Sequence, residues 1–115
     1  MVRTFIQTWE FIRKWQRMGL DDDDLRRLEL LIMNDPKAGP VIRGTGKLRK
    51  LRFASEGKGK RGGIRVCYVD LSAAETVYLI TAYDKTEKDD LTQEECAAIR
   101  KMITVLEQPT KGKPL

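Results

Sequence analysis

Ile64-Arg65-Val66-Cys67-Tyr68-Val69-Asp70-Leu71, then Ser72-Ala73-Ala74-Glu75, then Thr76-Val77-Tyr78-Leu79-Ile80-Thr81-Ala82-Tyr83 is the stretch on which the fold turns. Both outer runs are rich in β-branched and aromatic residues, which suit a pleated sheet, and the four residues between them read as a hairpin turn. Upstream, Leu48 to Ala54 alternates: Leu51 and Phe53 point one way, Lys50 and Arg52 the other. That is the period of a half-buried strand with a basic outer face. Glu56 to Gly63 is a Gly/Lys turn too polar for a core. The three strands predict an antiparallel meander.

Towards the N-terminus, Val2 to Ile6 reads as a short strand, and Trp9, Phe11, Ile12 and Trp15 follow helical spacing until Gly19. An Asp of the run Asp21 to Asp24 caps a second helix, whose apolar face is Leu25, Leu28, Leu31 and Ile32 and which Asn34-Asp35-Pro36 ends. Gly39-Pro40 and Gly44-Thr45-Gly46 punctuate the connection to the meander. Beyond it, Thr92 caps a last helix with Glu95 completing a capping box, and Cys96, Ile99, Ile103 and Leu106 form its buried face. The order is β-α-α-β-β-β-α: an α+β domain with a small antiparallel sheet and helices on one face. One domain is expected over residues 1–108, with residues 109–115 a flexible basic tail.

At 115 residues the chain suits one core without a disulfide or metal staple. It contains no histidine, which excludes His-based zinc sites, Ser-His and Cys-His nucleophile pairs and ribonuclease chemistry run by two imidazoles. Cys67 and Cys96 lie in no CxxC and read as reduced, packed thiols. No apolar run approaches the length of a membrane span, and the N-terminus has no signal-peptide core. A soluble cytoplasmic protein with no metal and no cofactor is expected.

The net charge of +5 is unevenly placed. Nine bases (Arg43, Lys47, Arg49, Lys50, Arg52, Lys58, Lys60, Arg61 and Arg65) share one segment with a single acid, Glu56, while the remainder carries thirteen bases and sixteen acids. A segment at +8 repels itself, and a fold tolerates it most readily when a polyanion is its partner; the alternative is a solvated basic loop. Six or seven phosphate contacts would give steep salt dependence. Tyr68, Tyr83 and Phe53 read as core residues or as stacking platforms for bases. Two apparent motifs fail. Gly57-Lys58-Gly59-Lys60-Arg61-Gly62 matches GxGxxG but precedes a strand instead of opening a helix, and Gly44-Thr45-Gly46-Lys47 lacks the flanking residues of a Walker A loop. Asp21 to Asp24 reads as a helix cap, and Asp84, Glu87, Asp89 and Asp90 as a solvated loop.

The runs Gly44 to Ser55 and Gly57 to Tyr68, with Tyr78 to Lys85 and Asp90-Leu91, resemble the core signature of RelE/HigB-type toxins of bacterial toxin–antitoxin systems, in particular the HigB-like branch. The resemblance spans nearly the whole chain. It implies a RelE-like fold and a metal-independent, ribosome-dependent endoribonuclease, an mRNA interferase. Such a toxin cuts mRNA in the ribosomal A site by attack of a ribose 2′-OH on the adjacent phosphate. The partners it implies are the ribosome, mRNA and a cognate antitoxin of helix-turn-helix type.

Carried over by position, Lys50 and Arg52 match the family's basic strand pair, Arg65 the arginine on the scissile phosphate, and Lys85 the later basic position. Where several relatives have a tyrosine that stacks on the substrate base, this chain has Leu91, and Tyr83 is the substitute. The candidates for catalysis are Arg65, Lys58, Lys60, Lys85 and Tyr83, with either Tyr83 standing in for the missing tyrosine or a loop lysine, Lys58 or Lys60, as general base. RNA binding is expected of Lys50 and Arg52, and, from the charge of the segment, of Lys47, Arg49 and Arg61. A ParE-like toxin aimed at DNA gyrase and a non-catalytic basic RNA-binding module are the competing readings.

Overall fold

The computed structural model describes residues 2–56 and 62–108; Lys58, Lys60, Arg61 and the tail from 109 lie outside the described residues. The chain runs β1 (Thr4–Gln7), α1 (Trp9–Arg17), α2 (Asp22–Asn34), β2 (Arg49–Phe53), β3 (Ile64–Leu71), β4 (Thr76–Asp84) and α3 (Gln93–Glu107), with one 3-10 turn, Ser72–Ala74, closing the β3–β4 hairpin. The expected order of elements is present. α2 and α3 start on the anticipated caps, and α1 on one that the sequence reading did not name. The Thr8 hydroxyl accepts from the Phe11 amide, while Asp21 with Asp24, and Thr92 with Glu95, make reciprocal capping boxes.

The sheet order is β1-β4-β3-β2. β2–β3–β4 is the antiparallel meander, but β1 pairs parallel with β4, so the sheet is mixed. Two contacts fix β1 there: Arg3 donates to the Asp70 carboxylate at 2.7 Å, and the Thr8 hydroxyl donates to the Ile80 carbonyl at 2.6 Å. α1 then packs back against β4.

The helices do not share one face, as the sequence reading had them. Phe11, Trp15, Leu28 and Ile32 of α1 and α2 pack with Phe53, Ile64, Val66, Tyr68, Val77 and Leu79. Ile99 and Ile103 of α3 pack with Leu48, Cys67, Val69, Leu71 and Ile80 on the other side. The reason lies in β3, where Val66-Cys67-Tyr68-Val69 is apolar at every position and leaves two faces to cover. Trp9 and Leu31, expected in the core, are exposed, and Cys96 and Leu106 are only half-buried.

One irregularity positions the site. Opposite β3 the register slips: Tyr68 pairs with Leu79 and Cys67 with Thr81, leaving Ile80 as an extra residue. The bulge reverses the alternation of β4. Ala82 therefore joins Val77 and Leu79 under α1, and Tyr83 joins Ile80 on the α3 side.

Candidate functional site

Directly paired residues of neighbouring strands project from the same face. Arg52 pairs with Arg65, and Arg65 with Tyr83, so these three form one row across β2, β3 and β4. Lys50, Cys67 and Thr81 form the next row. Both rows lie on the α3 side, near the end of the sheet where β2 and β4 finish and β3 starts. Lys85 stands just past β4, its amide donating to the Gly63 carbonyl at 2.8 Å, which fixes it beside the start of β3. The fold thus brings together Lys50, Arg52, Arg65, Tyr83 and Lys85.

Their charges differ in fate. Lys50 Nζ lies 2.7 Å from Asp90 Oδ1. Arg52, Arg65 and Lys85 form no ion pair with a carboxylate among the described residues, although Arg52 and Arg65 face each other directly. Like charges opposite one another oppose folding. A third ligand with two or more acceptor oxygens would turn that repulsion into a clamp, because guanidinium forks match phosphate geometry.

Two other predicted cations go elsewhere. Arg49 alternates onto the α1–α2 side, where its guanidinium donates to the Gly39 carbonyl at 2.7 Å and secures the 37–39 loop. Lys47 pairs with Glu107 at the far end of α3. Lys58, Lys60 and Arg61 fall outside the described residues.

The aromatic candidates are all buried. Phe53 and Tyr68 are core, the Tyr68 hydroxyl donating to the Pro36 carbonyl at 2.8 Å. Tyr83 lies beneath Lys88, whose Nζ is 5.8 Å from the ring centroid, so the ring offers no open stacking face. Burial, followed by the nearness of Cys67 and Asp90, pushes the phenol far above its ordinary range, with Arg65 acting in the opposite sense. Its hydroxyl has no hydrogen-bond partner among the described residues. Burial likewise pushes the Cys67 thiol up to about 12. Both groups keep their protons at neutral pH.

Sequence reasoning missed the segment after β4. Asp84 accepts from the Thr86 amide and hydroxyl at 3.0 and 2.9 Å, turning the chain, and Lys88 donates to both oxygens of Glu95 at 2.7 Å. Asp90 is thereby carried over the sheet to Lys50. The acids and bases of residues 84–95 alternate too closely for sequence to say which pairs close. Among the described residues no cluster of three or more potential ligands could hold a metal ion, and no helix is long and apolar enough to cross a membrane.

Set beside known proteins, the chain matches over residues 2–113 the family model described as RelE toxin of the RelE/RelB toxin–antitoxin system. It is similar to three solved structures of E. coli RelE, each at a TM-score of 0.53. A mutant with two arginines changed to alanine, in the free state, is 16% identical over 77% of this chain and 90% of its own. The same mutant with a peptide of the antitoxin RelBc is 15% identical over 81% and 98%, and the isolated toxin 13% identical over 88% and 99%. At these identities the structures speak for the fold.

Proposed function

The chain belongs to the RelE toxin family, and we propose that it is a toxin that cuts mRNA in the ribosomal A site and so stops translation. The observation that carries this reading is the pair Arg52 and Arg65, set directly opposite on one face with no carboxylate partner among the described residues. Lys50 and Lys85 flank the pair. An unbalanced cationic row on a rigid sheet suits an RNA phosphate better than a protein surface.

The chemistry follows from the charges. The ribose 2′-oxygen attacks the adjacent phosphorus, the P–O5′ bond breaks as the departing 5′-oxygen takes a proton from a lysine ammonium of the site or from water, and the products are a 2′,3′-cyclic phosphate and a 5′-hydroxyl. Charge accumulates on the non-bridging oxygens in the transition state, where Arg65 and Arg52 act as fixed donors. Lys85 is the third cation within reach. The 2′-hydroxyl proton passes to a base, and a lysine crowded by cations has the lowered pKa this needs. Lys58 and Lys60 are the candidates, and Tyr83 and Cys67, holding their protons firmly, are unsuited. The reaction as written needs no metal. Action on ribosomes places the toxin in the cytoplasm, and membership of this family supports a cognate antitoxin, for which we propose a helix-turn-helix protein.

The test is to map mRNA 5′ ends after a short pulse of expression of wild type and Arg65→Ala. New 5′ ends inside translated codons, absent from the mutant at equal soluble protein, are expected. Growth arrest without such ends points instead to a gyrase-type target.

A further inference from the structure

The two edges of the sheet are finished differently. Outside β2, Val41 bridges to Arg49, the Ile42 amide donates to the Leu48 carbonyl at 2.7 Å, and the Lys50 amide donates to the Pro40 carbonyl at 3.0 Å. Arg49, Lys50 and Arg52 stand on that strand, and Pro40 lies beside it. Charge, proline and a covering segment are the devices by which sheets resist edge-to-edge pairing. β1 has none of them. It ends the sheet with no strand beyond it among the described residues, and Thr4-Phe5-Ile6-Gln7 carries neither charge nor proline. The Thr4 and Thr8 amides donate inward to the Glu75 and Leu79 carbonyls. Alternate residues of the strand then turn outward, so Phe5 and Gln7 present two amides and two carbonyls to the open side. Apolar side chains flank this edge. Ile6 lies beside Tyr78 on the α3 face and is 41% exposed, while Val2 before the strand and Trp9 after it are 68% and 77% exposed. Met102 of α3, also exposed, lines a cavity of about 170 Å³ with Thr8, Ile80 and Leu91, and so borders the same edge.

We propose that the β1 edge is the docking surface for a second copy of this chain, the two β1 strands pairing antiparallel about a two-fold axis at Ile6. The register selects this occupant. With the two Ile6 residues opposite each other, Phe5 of each copy faces Gln7 of the other. Four backbone hydrogen bonds then use every outward amide and carbonyl of both strands. The Ile6 side chains meet as a non-hydrogen-bonded pair, the closer kind. The exposed apolar side chains and the strand offer roughly 500 Å² per copy, about 1,000 Å² in all, which suits a weak, reversible dimer. The strand itself brings no charge to the axis, and Arg3 beside it is neutralised by Asp70. At +5 each, whole molecules repel, so salt should tighten this dimer while it loosens contacts with RNA. Arg52 and Arg65 lie towards the opposite edge and stay uncovered. The simplest competing account is that a strand of four residues is protected by its shortness alone.

The test is sedimentation velocity of the purified chain across about a hundredfold range of concentration and over a range of KCl. Wild type should pass from monomer to dimer as concentration rises, at lower concentration in higher salt. Ile6→Lys, which sets two ammonium groups face to face, should abolish the dimer, and Ile6→Leu should keep it. Melts of Ile6→Lys and wild type, taken where both are monomeric, should coincide, since the side chain is exposed. Cross-linking fixes the register. In a Cys96→Ser background, Ile6→Cys should oxidise to a covalent dimer, because residues opposite each other in a non-hydrogen-bonded pair lie about 4.5 Å apart at Cα. Gln7→Cys should not, because its two copies stand beyond about 7 Å. A wild type that stays monomeric throughout overturns the second copy, as does a dimer that survives Ile6→Lys or cross-links equally through Gln7→Cys. A dimer that weakens as KCl rises is held by charge and overturns the apolar edge as its seat. If the chain alone is monomeric and the Phe5 and Gln7 amides gain exchange protection only with a co-expressed antitoxin, the edge belongs to that partner and the second copy is again overturned.

Discussion

Arg52 and Arg65 are a pair that stability alone would not keep. Facing cations on adjacent strands disfavour the fold by about 0.2–1 kcal/mol. Arg52→Ala should therefore leave the melting temperature unchanged or slightly raised while mRNA cleavage falls at least about tenfold, as loss of one charge-assisted phosphate contact implies. A drop in both together would mean that Arg52 serves the scaffold. Tyr83 gives the complementary case. Its buried hydroxyl has no partner among the described residues, and such a group costs about 1–3 kcal/mol. Tyr83→Phe should raise stability against urea and keep cleavage near wild type. Lost cleavage with a stable fold would return Tyr83 to the chemistry, the role the sequence reading gave it.

At the scale of elements, α3 and the segment leading into it are held by charge. The Glu95 carboxyl sits below its ordinary 4.5, chiefly because Lys88 donates to it, with burial pulling the other way and the Thr92 amide assisting. A carboxyl whose pKa is depressed by folding stabilises the fold fully above its unfolded value, and that contribution is lost as pH falls through the folded value. Thermal melts below about pH 4.5 should therefore show wild type losing stability more steeply than Glu95→Gln. At neutral pH the variant should be slightly the less stable. Glutamine still serves a capping box, so α3 itself should remain. Equal acid sensitivity of the two proteins would remove Glu95 from this role.

Across the whole molecule, what the sequence made legible was whatever depends on neighbours along the chain. The period of β2 assigned Lys50 and Arg52 to one face, and the acidic run Asp21 to Asp24 and Thr92 with Glu95 marked the starts of α2 and α3. What it hid depends on partners far apart. The bulge at Ile80 turns Tyr83 to the α3 side, the Asp90–Lys50 pair joins residues forty apart, and the parallel docking of β1 makes the sheet mixed. Arg49 shows the limit within one strand: the sequence reading grouped it with Lys50 and Arg52 for RNA binding, and only the folded 37–39 loop reveals the carbonyl it serves instead. The Arg3–Asp70 pair is the clearest tie between β1 and the rest. Arg3→Ala should speed hydrogen exchange at the amides of Phe5 to Gln7 while the meander keeps its protection. Uniform loss of protection would mean that β1 and the meander unfold as one unit.

The Thr8–Ile80 bond closes a loop of 72 residues, and this gives β1 a history during synthesis. Translation at about 5–20 residues per second separates the two strands by roughly 4–14 s. For that interval Phe5 and Ile6 emerge with no strand to join, while the row of Arg52, Arg65 and Tyr83 is still incomplete. The row on which the proposed cleavage depends is thus completed only when β4 is made, at the same moment that the apolar side chains of β1 gain a strand to join.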